Sequence, residues 1–240
     1  MNTQIIPAID IIDGQCVRLQ QGDFERKTQY GLNPLDIAKD YERKGYEMLH
    51  VVDLDAAKDD GKNNQSTIRE IAYNTNLKVD VGGGIKTTRQ IEELLESGIN
   101  AVNIGSTAIR DPKLFIKWLA TFGNDKIWLS ADVNKTKIAI NGWQQKTEID
   151  LFDILREFQK SGLKTAVITS IDRDGMMQGP NIELYTQTMK LFPKLNIVAS
   201  GGVTSTADLK QLGAIGISQA IVGKALYESD VFQNISKSKI

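Results

Sequence analysis

Eight short apolar runs alternating with helical patterns predict an α/β fold, a single (β/α)8 barrel, and an internal repeat with a period near 120 residues predicts two duplicated half-barrels. The eight runs are Ile5–Ile9, Met48–Leu54, Lys78–Val81, Ala101–Ile104, Ile127–Val133, Thr165–Thr169, Asn196–Ala199 and Gln219–Val222. They are apolar throughout rather than alternating, as parallel strands covered on both faces are. The 240 residues, 41% hydrophobic and 25% charged, suit one barrel domain over 1–240 with half-barrels at about 1–123 and 124–240. A doubly wound sheet fits the same periodicity, because periodicity does not show closure. No Pro-, Ser- or charge-rich linker marks a second domain.

The helices between these runs carry ordinary start and stop signals. Asn33-Pro34 supplies a cap and a first-turn proline, and Gly45 stands just past the end. Thr87 with Gln90 reads as a capping box, followed by Ile91, Leu94, Leu95 and Gly98 at helical spacing. Asp111-Pro112 opens a helix that Gly123 closes, and Asp150 opens one that Gly162 closes.

The repeat is read by setting "GGGIKTTRQIEELLESGINAVNIGSTAI" beside "SGGVTSTADLKQLGAIGISQAIVGKAL". Each runs Gly-Gly, branched apolar residue, Ser/Thr-rich helix start, Gly-Ile, apolar strand, Gly. Gly84 and Gly105 are 21 residues apart, and so are Gly202 and Gly223. Asp10 precedes Gly84 by 74 residues and Asp132 precedes Gly202 by 70. In a closed barrel the pair Gly83-Gly84 and the pair Gly201-Gly202 then face one another across the C-terminal mouth, with the Gly105-Ser106 and Gly223-Lys224 turns beside them. Backbone amides that no Cβ shields, leading into a helix N-terminus, bind phosphate. Glycine also serves plain turns in βα loops, but two symmetric pairs at equal spacing point to a long small-molecule bis-phosphate spanning the mouth.

Between the two phosphate sites stand Asp10 and Asp132, each ending a strand at a position related by the repeat. A carboxylate at the end of an apolar strand needs a partner. It is either an acceptor for loop amides or one of a facing pair that serves as general base and general acid. The single histidine, His50, falls near the start of the second strand, away from the mouth, and reads as structural. Asp59-Asp60 and Asp172/Asp174 lack companion His or Cys, so acid–base chemistry with no metal and no cofactor is the simplest expectation. Thr169 ends the sixth strand, and Asp174 lies in "TSIDRDG" beyond it. Arg18, in the loop after the first strand, is a mobile cation suited to a phosphate or carboxamide, and Trp143 in "INGWQQ" offers a ring for stacking or simply a rim patch. Gly14, Gly22, Gly142 and Gly175 are placed to hinge water-excluding lids.

The formal net charge of −1 gives no basic surplus for a nucleic-acid partner. Cys16 is the only cysteine, which excludes an internal disulfide. No apolar run is long enough for a membrane span and the start lacks a signal-peptide pattern, so a cytoplasmic protein is expected. A barrel closes its own sheet and no amphipathic extension asks for a partner, so a monomer is expected.

The segments "IIPAIDIIDGQCVRLQQGDF", "LHVVDLDAAKD", "VGGGIKT", "NIGSTA", "INGWQ", "TSIDRDG", "SGGV" and "IVGKAL", in order from Ile5 to about Leu226, resemble the histidine-biosynthesis isomerases. These enzymes act on phosphoribosylformimino-5-aminoimidazole carboxamide ribotide (ProFAR). The resemblance implies a half-barrel-duplicated TIM barrel performing a cofactor-free Amadori rearrangement of an aminoaldose to its 1-amino-2-ketose. It places the general base on Asp10 and the general acid on Asp132 or Asp174, with Thr169 assisting, Trp143 closing over the substrate and Arg18 touching it. Lys86 and Lys224 stand where this family commonly has arginine, keeping charge without the bidentate fork. Other readings remain. They are the sister cyclase that makes imidazole glycerol phosphate, an isomerase also accepting phosphoribosylanthranilate, and a non-catalytic phosphosugar-binding barrel. The cyclase usually reads "PCLDV" and "VVKG" where this chain reads "PAIDI" and "CVRLQQG", and it lacks the "NGW" loop.

Overall fold

In the computed structural model, which describes residues 3–20, 23–29, 31–58 and 60–228, eight parallel strands close on themselves. In chain order the elements begin with β1 (Gln4–Ile12), β2 (Gln15–Gln20), β3 (Asp23–Gln29), α1 (Pro34–Arg43), β4 (Met48–Asp53), α2 (Leu54–Lys58) and α3 (Gln65–Asn74). Then come β5 (Lys78–Gly82), α4 (Thr88–Glu96), β6 (Ala101–Ile104), α5 (Ser106–Arg110), α6 (Pro112–Phe122), β7 (Ile127–Asn134), β8 (Lys137–Ile140) and β9 (Gln145–Asp150). The chain continues through α7 (Leu151–Lys160), β10 (Thr165–Ser170), α8 (Ile182–Leu191), β11 (Asn196–Ser200), α9 (Thr206–Ala214), β12 (Gln219–Val222) and α10 (Lys224–Glu228). The barrel order is β1-β4-β5-β6-β7-β10-β11-β12, and β12 returns to β1 through Gln4↔Gln219 to Pro7↔Val222. Closure leaves no edge among the eight barrel strands and excludes the doubly wound alternative.

All eight expected strands are present; four run one residue further than the sequence indicated, the first is extended at both ends, and the second stops one residue earlier. The capping signals act as read. Asn33 Oδ1 accepts from Leu35 N–H at 2.8 Å, Asp111 Oδ1 from Leu114 N–H at 3.0 Å, and Asp150 Oδ1 from Phe152 N–H at 3.0 Å. Both Thr87/Gln90 and Ser205/Asp208 form capping boxes, at equivalent points of the two repeat segments.

Strand alternation decides which residues reach the lumen. On β1, Ile5, Ile9 and Ile11 join the large core between barrel and helices, while Ile6 and Ala8 join an inner cluster with Ala101, Trp128, Val167, Val198 and Ile221. That cluster plugs the lumen, so the barrel is a packed core and not a pore. The same period of two carries the next inward positions upward: Asp10 above Ala8, Asp132 above Trp128 by way of Ser130, and Thr169 above Val167. Three of the expected catalytic side chains therefore share the inner face of the barrel near its C-terminal end.

Two hairpins depart from the simple alternation. β2 and β3 follow β1, and β8 and β9 follow β7, in both cases as antiparallel extensions. From the sequence these segments read as loops, because β3 and β9 are charged and glycines stand at 14, 22 and 142. Each is anchored by continuing the register of a barrel strand, Asp10↔Val17 in the first and Asp132↔Ala139 in the second.

Candidate active site

Asp132 lies on β7 beside Thr169 of β10, in direct register. Its carboxylate accepts side-chain hydrogen bonds from Trp143 and Thr169. Burial pushes the carboxyl above the ordinary aspartate range, while the Trp143 and Thr169 donors and the charge of His50 act in the opposite direction. Trp143 sits in the turn between β8 and β9 with a φ of 71°, unusual for a bulky side chain. The turn is held from below: Asn141 N–H donates to Ser106 Oγ at 2.9 Å, and Arg110 Nη2 donates to Asn141 Oδ1 at 2.7 Å. Ser106, expected at a phosphate site, thus also supports the loop that carries the tryptophan. Arg110 and Asn141 escaped the sequence reading because an exposed Arg and a turn Asn carry no distinctive pattern.

Asp10 on β1, like Asp132 on β7, stands two residues before the strand ends rather than closing it, and its backbone pairs with Val17. Its charge is felt by Cys16, whose thiol is pushed up to about 12 chiefly by burial, then by Asp10, against a hydrogen bond with the Tyr227 side chain. Arg18 lies on β2 opposite Thr28, not in a loop, and its side chain falls outside the described residues, as do Gly22 and Asp59.

His50 is a buried, hydrogen-bonded residue, as its structural reading expects. It stands mid-strand on β4 and points into the lumen, where Nδ1 lies 2.5 Å from Asp80 Oδ1, and Asn103 Nδ2 donates to that same oxygen. All three side chains are buried. The histidine is therefore held by polar partners, but beneath the catalytic face and within electrostatic reach of Asp132, not remote from it.

The glycine loops group with different acids. A cleft is lined by Gly83, Gly84 and Lys86 together with Asp53, Lys62 and Gln90. A second is lined by Asp174, Gly175, Gly201, Gly202, Gly223 and Lys224. Asp174 therefore sits with the second glycine loop, while Asp132 sits with Thr169 and Trp143. Lys224 Nζ donates to Gly175 O at 3.2 Å, joining the two turns of that cleft. Lys86 is exposed, and its backbone N–H donates to Gln90 Oε1 at 2.9 Å. Gly105 is the residue preceding α5 and Gly223 the one preceding α10.

The four paired glycines also have a packing cause. A Cβ on Gly83 would stand 2.2 Å from Asp53 O, on Gly84 2.1 Å from Ala56 O, on Gly201 2.8 Å from Ser170 O, and on Gly202 2.4 Å from Gly179 O. All four have positive φ, between 64° and 103°. Each loop is pressed against the neighbouring βα loop, which only glycine permits. Tyr185, unremarked in the sequence, fixes the strand ends beneath the second loop: its hydroxyl lies 2.9 Å from Ile168 O and accepts from Ser200 N–H at 3.0 Å.

The family model described as "Histidine biosynthesis protein" matches residues 4–231. The chain belongs to this histidine biosynthesis protein family. Among relatives of this family member, a protein of Bacteroides thetaiotaomicron is 45% identical over 228 residues, covering 95% of each chain. One of Phocaeicola vulgatus is 43% identical, again over 95% of each, and one of Halothermothrix orenii is 42% identical over 95% of this chain and 96% of its own. All three are named 1-(5-phosphoribosyl)-5-((5-phosphoribosylamino)methylideneamino) imidazole-4-carboxamide isomerase. In this member of the family, no helix of the described residues is long and apolar enough to cross a membrane.

Proposed function

We propose that this protein isomerises ProFAR, the aminoaldose in the name of its relatives, to the corresponding aminoketose in histidine biosynthesis. The name carries two phosphoribosyl groups, hence a phosphate at each end. The observation that carries the reading is the grouping at the mouth: two glycine-loop clefts, with Asp10, Asp132 and Thr169 on the inner barrel face between them.

In this reading an acid protonates the ring oxygen of the aminoaldose as its nitrogen lone pair expels it, opening the ring to a Schiff base. Asp10 then removes the C2′ proton, and the resulting enolamine tautomerises to the 1-amino-2-ketose. Atoms balance with no redox partner. Asp132 is the better-supported acid: burial raises its carboxyl, as an acid working near neutral pH requires, and two donors fix its orientation. Asp174, beside Gly175 and Lys224, is better placed to face a phosphate cleft. Gly83, Gly84, Gly105 and Ser106 hold one phosphate and Gly201, Gly202, Gly223 and Lys224 the other. Lys86 and Arg18 supply further positive charge, and Trp143 covers the reacting ribose. The protein works as a cytoplasmic monomer, a reading supported for the oligomeric state by the eight barrel strands pairing with one another in a closed ring.

The test is a spectrophotometric ProFAR assay on wild type, Asp10→Asn, Asp132→Asn and Asp174→Asn. Loss of an acid or base costs about 10²–10⁴-fold in rate. Full activity in Asp10→Asn would overturn the mechanism. Comparing the other two assigns the acid.

A further inference from the structure

The turn joining β1 to β2 is tied down in a way that neither strand explains. Asp13 and Gly14 both have positive φ, 49° and 72°, the two-residue hairpin geometry that Asp-Gly favours. The amides of these two residues take no part in the strand pairing and would otherwise rely on water. Instead, Asp13 N–H donates to Asp55 Oδ2 at 2.7 Å, and Gly14 N–H to Asn64 Oδ1 at 2.8 Å.

The acceptors form one buried cluster. Asp53, Asp55 and Asn64 are 3%, 4% and 4% exposed. Asn64 Nδ2 lies 2.7 Å from Asp53 Oδ1 and 2.9 Å from Asp55 Oδ2, so one amide group serves two carboxylates. Asn64 N–H adds a bond to Asp53 Oδ2 at 2.7 Å, and Ala56 N–H donates to Asp53 Oδ1 at 3.0 Å. Buried carboxylates are costly without such donors, so the cluster is held together by mutual need. On its other side, the Asp53 carbonyl is the atom against which Gly83 packs, and Asp53 lines the same cleft as Gly83 and Gly84. One hub thus touches a glycine loop through its backbone and the β1–β2 turn through its side-chain partners. The turn follows Asp10 by only three residues.

We propose that Asp55 and Asn64 are positioning residues that latch the Asp13–Gly14 turn to Asp53 and thereby fix the β1–β2 hairpin, and Asp10 with it, relative to the Gly83–Gly84 loop. They touch no reacting atom; they set the distance between base and substrate. The kinetic consequence rests on the isomerase reading, whereas the latch itself does not.

The experiment compares Asn64→Ala, Asp55→Ala and Asp55→Asn with wild type by residue-resolved amide exchange and by kcat and KM with ProFAR. Exchange at Asp13 and Gly14 is expected to accelerate in both alanine variants while Ile9, paired within the barrel sheet, stays protected. A displacement near 1 Å costs about 10²-fold in rate, so kcat should fall by roughly that order with KM little changed. Asp55→Asn retains an oxygen for Asp13 N–H and should recover much of kcat. Should Asn64→Ala fail to fold, the near-isosteric Asp55→Asn measured against Asp55→Ala decides alone. Unaltered exchange at the turn, or fast exchange with full kcat, overturns the proposal. A wild type that does not turn over ProFAR defeats the functional reading and leaves the exchange test of the latch intact.

Discussion

His50 Nδ1 lies 2.5 Å from Asp80 Oδ1 inside the barrel, one layer below the catalytic face. Asn103 shares the same carboxylate oxygen, while Asp80 Oδ2 and Asn103 Oδ1 are buried without a hydrogen-bond partner among the described residues. A polar network in the lumen is unusual where branched apolar side chains generally fill the layers. Its effect reaches Asp132, whose carboxylate it favours against burial.

Removing the donors and the charge should therefore raise the Asp132 carboxyl further, in a defined order. Trp143→Phe deletes the strongest of the opposing influences and should move it most, Thr169→Val less, and His50→Gln less again. Carboxyl-detected NMR titration of Asp132 in each variant reads this directly. A His50→Gln titration identical to wild type would remove the histidine from the account.

The same carboxyl has a stability cost whose sign is fixed. Its folded-state value lies above the unfolded one, so the protonated form stabilises the fold at low pH, and that contribution is lost as pH rises through the folded value. Asp132→Asn has no such loss. Its melting temperature should exceed that of wild type at pH 7 to 8, and the difference should shrink toward pH 4. A difference independent of pH would show that packing, not ionisation, separates the two proteins.

The glycines separate two physical demands that sequence alone merges. Gly98 has a φ of 91° with nothing within 4 Å of a built Cβ, whereas Gly84 has a φ of 64° and a backbone oxygen 2.1 Å away. Gly98→Ala should cost about 1–2 kcal/mol in urea unfolding, the price of a left-handed residue. Gly84→Ala must also move backbone against backbone and should cost well over the roughly 1–3 kcal/mol of ordinary overpacking. Equal losses would mean that the Gly84 loop relaxes freely.

Much of the barrel is legible in the chain because parallel strands buried on both faces must be apolar for their whole length, as Val79–Val81 and Ile127–Leu129 are. The hairpins were not, because β2 and β3 carry charged residues such as Asp23, Glu25, Arg26 and Lys27 that imitate a loop, and only the register with β1 makes them strands. Asp10 and Asp132 stood out because nothing in an apolar strand end explains a carboxylate. His50 reads as structural, but its partners are not legible in the sequence, because its contacts come from Asp80, 30 residues away, through Ala8↔His50↔Asp80 pairing. The Asn64 cluster was invisible for the same reason, because Asp53 at the end of β4, Asp55 in α2 and Asn64 before α3 meet one another and the β1–β2 turn only in the folded chain.

Cys16 tests the local field around Asp10 without any substrate. Its thiol sits at about 12 because burial disfavours the thiolate and the Asp10 charge disfavours it further. The thiolate is the reactive form, so native protein at pH 8 should resist a disulfide reagent that labels the unfolded chain within minutes. Asp10→Asn removes the second of these causes and leaves the first, so the labelling rate should rise but stay far below that of the unfolded chain. If Asp10→Asn labels no faster than wild type at any pH up to 10, then Asp10 does not exert its charge on Cys16, and the side-chain geometry at the start of the hairpin needs revision.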